Sequence, residues 1–429
     1  MEKLNEDFII NLSNNKGEPL WMKNFRLNSY KKFLELDNPS FGPKINIDFD
    51  NLVYHKGLFA PPSCSWENVD KKVKNTFNDL GVIEAENKYL KGVSNQYESE
   101  VIYHKMEESD GIIFLSTDEA LKKYQELFEK YFNNLVKYDE NKYTALNGAL
   151  WSGGSFIYIP PYTKVDRPLQ SYFRIDTKNL GQFERTIIIV DHDSSLHYIE
   201  GCTAKNYSTT SLHAGVVEIY VGKNSTCKYS TIQNWSKDVY NLVTKRAILE
   251  EGAYMQWVDG NIGSGVTMKY PSCILKGDNS KASSISIAYA KEGQHLDAGA
   301  KMIHLGKNTK STIISKSIAG FGGTSDYRGT VKIAKDATGS FATIKCDNII
   351  LDNISSSNTY PKNIVENNES TLEHEATISK INEEKLNYLM SLGISEDAAK
   401  DLYVLGFMSD FKKSLPMEYA VELNRLIKE

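Results

Sequence analysis

Cys346, in Thr343-Ile-Lys-Cys-Asp-Asn348, and the run Thr371-Leu-Glu-His-Glu-Ala-Thr377 close behind it carry the side chains best suited to hold iron. Thiolate, imidazole and carboxylate are the donors a protein offers to that metal. Read as a strand, the run alternates faces, so Glu373 and Glu375 share one side and His374 points to the other. One cysteine leaves this chain alone short of thiolates for a conventional cluster site. The same residues also suit a plain edge strand with solvated carboxylates, and spacing alone does not separate the two readings.

A second thiol, Cys202, follows a glycine in Tyr198-Ile-Glu-Gly-Cys-Thr-Ala204. Arg174, Gln233, Trp235, Lys245 and Arg246 are expected near it inside the architecture described below, and a cation beside a thiol favours the thiolate. A cysteine packed as a small hydrophobe is the competing reading. Cys227 and Cys273 have ordinary strand neighbours and read as core filler, Cys64 sits in a loop, and His295 and His304 read as structural.

Other chemistries lack their motifs. The chain has no GxxxxGK[ST] loop, no GxSxG elbow and no HExxH, so nucleotide hydrolysis of the P-loop kind would need a partner. Trp151-Ser-Gly-Gly-Ser-Phe156 has two glycines but no helix after it to cradle a phosphate.

The positioning elements change along the 429 residues. Residues 1–145 read as a mixed, mostly helical region. Leu27–Leu36 forms a short amphipathic helix closed by Asn38-Pro39, a second helix begins at a Thr117 cap, and a loop runs from Ala60 through the Lys/Asn-rich stretch after Cys64. From 146 to 380 short β-rich runs alternate with small polar turns at 190–194, 221–225, 249–253, 275–280, 305–309 and 334–338. That spacing falls in the solenoid window and is too short for a propeller blade. The expected fold is mainly β: a right-handed parallel β-helix core flanked by an N-terminal α/β region and a C-terminal helical region. An irregular β-sandwich is the alternative. Residues 381–429 return to helix, over 382–393, 395–406 and 415–427, with Gly393 as a C-cap and Ser395 as an N-cap.

A hydrophobic content of 41%, 24% charged residues and a net charge of −5 fit a globular protein and argue against nucleic acid as a partner. No apolar run suits a membrane span, and the N-terminus lacks targeting character. The expectation is a protein of the cytoplasm, or of the stroma if an organelle encodes it. Five scattered cysteines without CxxC fit a reducing compartment. Arginine is scarce, and Arg167, Arg174, Arg185, Arg246 and Arg328 all lie in the β-rich region, where a planar charged fork would be used.

Taken in order, Trp151-Ser-Gly-Gly-Ser-Phe, Glu200-Gly-Cys-Thr-Ala, Thr231-Ile-Gln-Asn-Trp, Lys269-Tyr-Pro-Ser-Cys, Tyr327-Arg-Gly, Lys345-Cys-Asp, Leu372-Glu-His-Glu-Ala-Thr and Leu415-Pro-Met-Glu-Tyr-Ala resemble the SufB/SufD family of the SUF iron–sulfur cluster assembly system, from about residue 20 to the C-terminus. The resemblance implies a scaffold rather than an enzyme. Persulfide sulfur would reach Cys202 from a cysteine desulfurase or sulfur shuttle and travel past Arg174, Gln233, Trp235 and Lys245. A nascent iron–sulfur cluster, expected to be 4Fe-4S, would form at Cys346 with Glu375, and with Glu373 or His374 as further metal ligands. Implied partners are the SufC ATPase, docked on the C-terminal helices, and SufD or a second copy of this chain; reduced flavin is an implied electron source. Asp176 stands where family members often carry Asn, and the N-terminal cysteine-rich motif of some members is absent. A D-type subunit without the main cluster ligands is one alternative, and a β-helix carbohydrate-active enzyme is another.

Overall fold

The computed structural model describes residues 3–107, 111–205, 210–409 and 411; the helix expected over 415–427 lies outside them. The β-rich region is a parallel β-solenoid. One sheet has ten strands and the other twelve, with strands taken alternately from successive coils. Ser195 lies beside Thr226, Thr226 beside Tyr254, Tyr254 beside Lys281, Lys281 beside Lys310 and Lys310 beside Phe341. Each coil therefore advances the chain by 27 to 31 residues, the period of the turns.

The turn chemistry explains the stacking. Asp193, Asn224, Asn279 and Asn308 all take positive φ, and Gly252 fills the matching place in the intervening coil. A Cβ at Gly252 would lie 2.5 Å from the Asn224 side-chain oxygen, so a larger residue there would have to push that side chain aside. The small residue that opens the next strand ties coil to coil. Ser225 Oγ accepts the Ser194 N–H, Ser340 Oγ the Thr309 N–H, and Ser370 Oγ the Ser340 N–H.

Alternation along each strand sorts residues between the interior and the outer face. Leu196, Tyr198, Cys227, Tyr229, Met255, Trp257, Ile344 and Cys346 fill one inner core. On the outer face of the ten-stranded sheet, Ile199, Ile232, Val258, Ile287 and Ile318 pack against Phe77, Val82, Val404, Met408 and Phe411. The helix Glu396–Phe407 thus lies on the solenoid wall. Helices Glu6–Lys16, Leu20–Glu35 and Lys142–Leu150 pack with Leu212, Leu242 and Met268 in a third core. No helix among the described residues is long and apolar enough to cross a membrane.

The N-terminal region departs from expectation. The stretch after Cys64, read as loop, holds helices Lys71–Asp79 and Val82–Tyr89. Asp70 caps the first through the N–H groups of Lys72 and Val73, and burial of Phe77 fixes it. Strands Gly92–Tyr97 and Glu100–Met106 form an antiparallel pair that extends the ten-stranded sheet, and Ile113–Ser116 does the same for the other. The helix that follows is capped by Ser116, not Thr117, and breaks at Tyr124 into Thr117–Lys123 and Gln125–Tyr131. The helix expected to end near Gly406 continues to Phe407. At the far end, Ser356–Val365 and Thr371–Lys380 are terminal strands of their sheets and are largely exposed.

Candidate functional site

Cys202 points into the solenoid from strand Ser195–Ala204, with Phe173 on one side in the ladder and Gln233 on the other. It is buried among Phe173, Ile175, Leu180, Trp235 and Val239. Trp235 Nε1 and Gln233 Nε2 are buried donors that lack an acceptor among the described residues. Buried donors are normally paired, so these two are free to serve an anion placed beside the thiol.

Glu200 is the polar neighbour of Cys202. The Cys202 Sγ lies 3.7 Å from Glu200 Oε1. The same oxygen accepts from Lys245 Nζ at 2.8 Å and Thr231 Oγ1 at 3.4 Å, while the Tyr229 hydroxyl donates to the other oxygen. Burial works against the Glu200 charge, but the Lys245 ammonium beside it holds the carboxyl at about 2. Burial, and then the Glu200 charge, push the Cys202 thiol well up. At rest the pair is thiol and carboxylate.

A second buried chain continues inward. Lys269 Nζ meets Asp259 at 2.7 Å and donates to Gln233 Oε1 at 3.0 Å; Asn241 donates to the same oxygen at 2.7 Å. His213 joins Asn241 at 2.9 Å and Glu184 at 2.8 Å. Burial opposes its protonation, but Glu184 raises the His213 pKa overall. Burying ion pairs is expensive, and replacing them with apolar packing is often neutral or better. Three in one solenoid interior point to use rather than stability.

The structure places Arg174 and Arg246 outside that interior. Register pairs Phe173 with Cys202, so Arg174 sits beside Thr203 on the opposite face. Its guanidinium bonds Asp176 at 2.7 Å and Thr203 Oγ1 at 3.0 Å. Aspartate at 176 therefore makes an ion pair where asparagine would not. Arg246 clasps Glu140 through two bonds of 2.7 and 2.8 Å on the outer face. Gln233, Trp235 and Lys245 do face the Cys202 chamber.

Cys346 is also buried and inward-facing, on strand Phe341–Ile350. Its Sγ lies 3.9 Å from His374 Nε2, and the Asn363 amide meets His374 Nδ1 at 3.1 Å. Burial pushes the thiol up to about 12, against the nearby Tyr327 phenol, which lowers it. Burial also lowers the His374 pKa, keeping the ring neutral and able to bind metal. Glu375 lies opposite Lys345 in the ladder and 3.7 Å from its ammonium, and Glu373 lies opposite Thr343. Both acids are on the outer face, away from the thiol. Among the described residues, no three His, Cys, Asp or Glu side chains converge as a metal site.

Sequence reasoning missed the row between the cysteines. Glu200, Thr231, Asp259, Ser286, Ser315 and Cys346 are successive ladder partners on the inner face. Ser286 donates to Ser315 at 3.1 Å. The next row runs Cys202, Gln233, Asn261, Ala288, Ser317 and Asn348. Small polar residues recurring at the coil period are the signal that would have exposed it.

On the outside, helices Glu383–Ser391 and Glu396–Phe407 leave a groove of about 630 Å³ lined by Tyr388, Leu389, Leu402, Tyr403 and Phe407.

Comparison with known proteins matches residues 173–407 to the family described as SUF system FeS cluster assembly, SufBD core domain, and residues 68–171 to the SufBD protein N-terminal region. The chain is 53% identical to the iron–sulfur cluster assembly protein SufB of Bacillus subtilis, over 99% of this chain and 92% of that one. It is 54% identical to iron–sulfur cluster assembly SufBD family proteins of Staphylococcus saprophyticus and Staphylococcus aureus, with the same coverage.

Proposed function

The chain belongs to the SufBD family of iron–sulfur cluster assembly proteins, and we propose that it is the scaffold on which the cluster is built rather than a stand-alone enzyme. Sulfur enters at Cys202 as the thiolate attacks a donor persulfide from a cysteine desulfurase or its shuttle. It then passes along the inner rows to Cys346, where iron and sulfide join as a nascent 4Fe-4S cluster. Cys346 and His374 are the ligand pair already side by side. Glu375 and Glu373 join them only when the edge strand Thr371–Lys380 turns, because alternation places them on the other face. The remaining ligands come from SufD or a second copy of this chain seated at that open edge. The ATPase subunit SufC docks in the groove of the C-terminal helices and drives the exposure of buried Cys346.

The observation that carries this reading is the polar row joining Cys346 to Glu200, the neighbour of Cys202. The row nearest the strand starts, Leu196, Cys227, Met255, Ala282, Ser311 and Ala342, holds a single hydroxyl. A structural wall needs no such row. The test is anaerobic co-expression with the ATPase and D-type subunits, followed by visible absorption and iron and sulfide analysis of wild type, Cys346→Ser and Cys202→Ser. A brown complex that both substitutions bleach is expected. A stable but colourless wild-type complex would overturn the scaffold reading and leave the D-type role.

A further inference from the structure

We propose that Glu200 accepts the proton of Cys202 as that thiol takes up sulfur, with Lys245 as the fixed counter-charge; the inference rests on the sulfur-acceptor reading of Cys202. A thiol buried to 1% exposure meets little bulk water that could take its proton, so the base is sought in a protein atom within reach. Glu200 Oε1, 3.7 Å from Sγ, is the one carboxylate oxygen paired with that sulfur among the described residues. The other charged groups facing the chamber are engaged elsewhere: Asp259 with Lys269, and Glu184 with His213. Of the phenols, Tyr229 donates to Glu200 itself and Tyr198 to Ser155.

The step balances without an external electron donor. A new S–S bond forms between Cys202 Sγ and the outer sulfur of the donor persulfide, and the donor's own S–S bond breaks. The Cys202 proton passes to Glu200, and the proton on the transferred sulfur goes to the departing donor thiolate. The donor cysteine is returned reduced while Cys202 becomes the persulfide. Before transfer the chamber holds a neutral thiol, a carboxylate and an ammonium. Afterwards it holds a persulfide anion, a neutral carboxyl and the same ammonium. The buried net charge is unchanged, so no uncompensated charge is created in the interior. A persulfide is a stronger acid than a thiol, which lessens the cost of holding the proton on Glu200, a carboxylate that Lys245 otherwise keeps ionised. At rest the carboxylate holds the proton on sulfur and protects the thiol from oxidation.

The test follows alkylation of Cys202 by iodoacetamide across pH 6 to 10 in the full-length chain, read by mass spectrometry of the Cys202 peptide. Glu200→Gln removes the negative neighbour and is expected to lower the labelling midpoint by about one pH unit, roughly a ten-fold gain in thiolate near neutral pH. Lys245→Gln is expected to move the midpoint the other way and slow labelling. Simple loosening of the core would speed both, and that result would overturn the assignment. The double variant E200Q/K245Q leaves no unpaired buried charge and is the safest to fold. It is expected to take up sulfur from a small-molecule persulfide at least about ten-fold more slowly than wild type; wild-type loading would also overturn the proposal. If labelling follows the expected order but wild type takes up no persulfide, the sulfur-acceptor reading falls while the Glu200–Cys202 proton pairing stands.

Discussion

Glu200 and Cys346 share one inner row of the ten-stranded sheet, five strands apart, with Thr231, Asp259, Ser286 and Ser315 between them. At about 4.8 Å per strand the row is about 24 Å long. No thiol interrupts it, so sulfur cannot be handed from cysteine to cysteine along it. Its hydroxyls, the Gln233 amide and the Lys245 and Lys269 ammoniums can donate to a passing anion, while the Glu200 and Asp259 carboxylates of the row are already paired with those two lysines. Lys269 and Gln233 sit where the two polar rows meet.

Ser315 is the step next to Cys346. Ser315→Val puts a branched apolar side chain into the row and removes the acceptor for the Ser286 hydroxyl. The expected cost is about 1–3 kcal/mol, small enough to leave the fold intact. Persulfide on Cys202 is expected to persist while iron and sulfide in the purified complex fall several-fold. Ser284→Ala, one row away, serves as the control. Normal cluster content in Ser315→Val would remove the row from the route.

Alternation makes a sharp prediction about ligands. Cobalt(II) added to the full-length chain should show thiolate-to-metal charge-transfer absorption from Cys346. That band should vanish in Cys346→Ser and weaken strongly in His374→Ala, because His374 Nε2 is 3.9 Å from the sulfur. Glu375→Gln should keep it, since Glu375 faces Lys345 on the other side. A band that survives His374→Ala and disappears in Glu375→Gln would mean the edge strand sits the other way round.

What was legible in the sequence follows from how each signal is encoded. The solenoid was readable because its turns repeat a local requirement, a positive-φ Asn or Gly and then a small residue, once per coil. Gly393 and the Ser395 cap were readable for the same local reason. Arg174 was misplaced because inward or outward is decided by register against Cys202, a single-residue difference that local pattern does not carry. Helix Lys71–Asp79 was missed because burial of Phe77 outweighs a composition that reads as loop. Glu200 was passed over since an isolated acid looks like any surface residue until Lys245, 45 positions away, is found beside it.

Acid should weaken the fold through its buried imidazoles. His304 bonds Thr309 and Ser311 hydroxyls at 2.8 Å each, and burial lowers its pKa to about 4; burial does the same to His197. Both stay neutral in the fold, while the unfolded chain protonates them below about 6.5. The unfolded state then binds more protons, so stability falls as pH drops from about 6.5 towards 4. The limit is about 3 kcal/mol for His304. His213 has the opposite sign: its pKa is raised, so its contribution is full below about 6.5 and fades as pH rises through the folded value. Urea unfolding of wild type and His304→Gln between pH 4.5 and 7 should show a shallower acid slope in the variant. Equal slopes would mean that His304 is not neutral in the fold.

The C-terminal helices carry apolar residues on two faces. Leu386, Ala399 and Val404 are buried, whereas Tyr388 is 65% and Leu402 48% exposed beside the groove. A helix pair that needed only the solenoid would be polar on its outer face, so the outward residues are the expected seat of the ATPase subunit. Tyr388→Ser with Leu402→Ser should abolish co-purification of that subunit. Thermal stability of this chain should barely change, because surface substitutions of this kind cost within about 0.5 kcal/mol. Retention of the ATPase subunit by the double variant would place its seat elsewhere. The helical region that forms the groove also shares a wall with the interior. Phe411 packs at Gly260, where a Cβ would lie 3.5 Å from its ring, and Gly260 stands between inward-facing Asp259 and Asn261. A displacement of these helices on ATP binding would be felt one sheet-thickness away, at the partner of Lys269, so the double variant should lose ATP-dependent changes in Cys346 labelling as well.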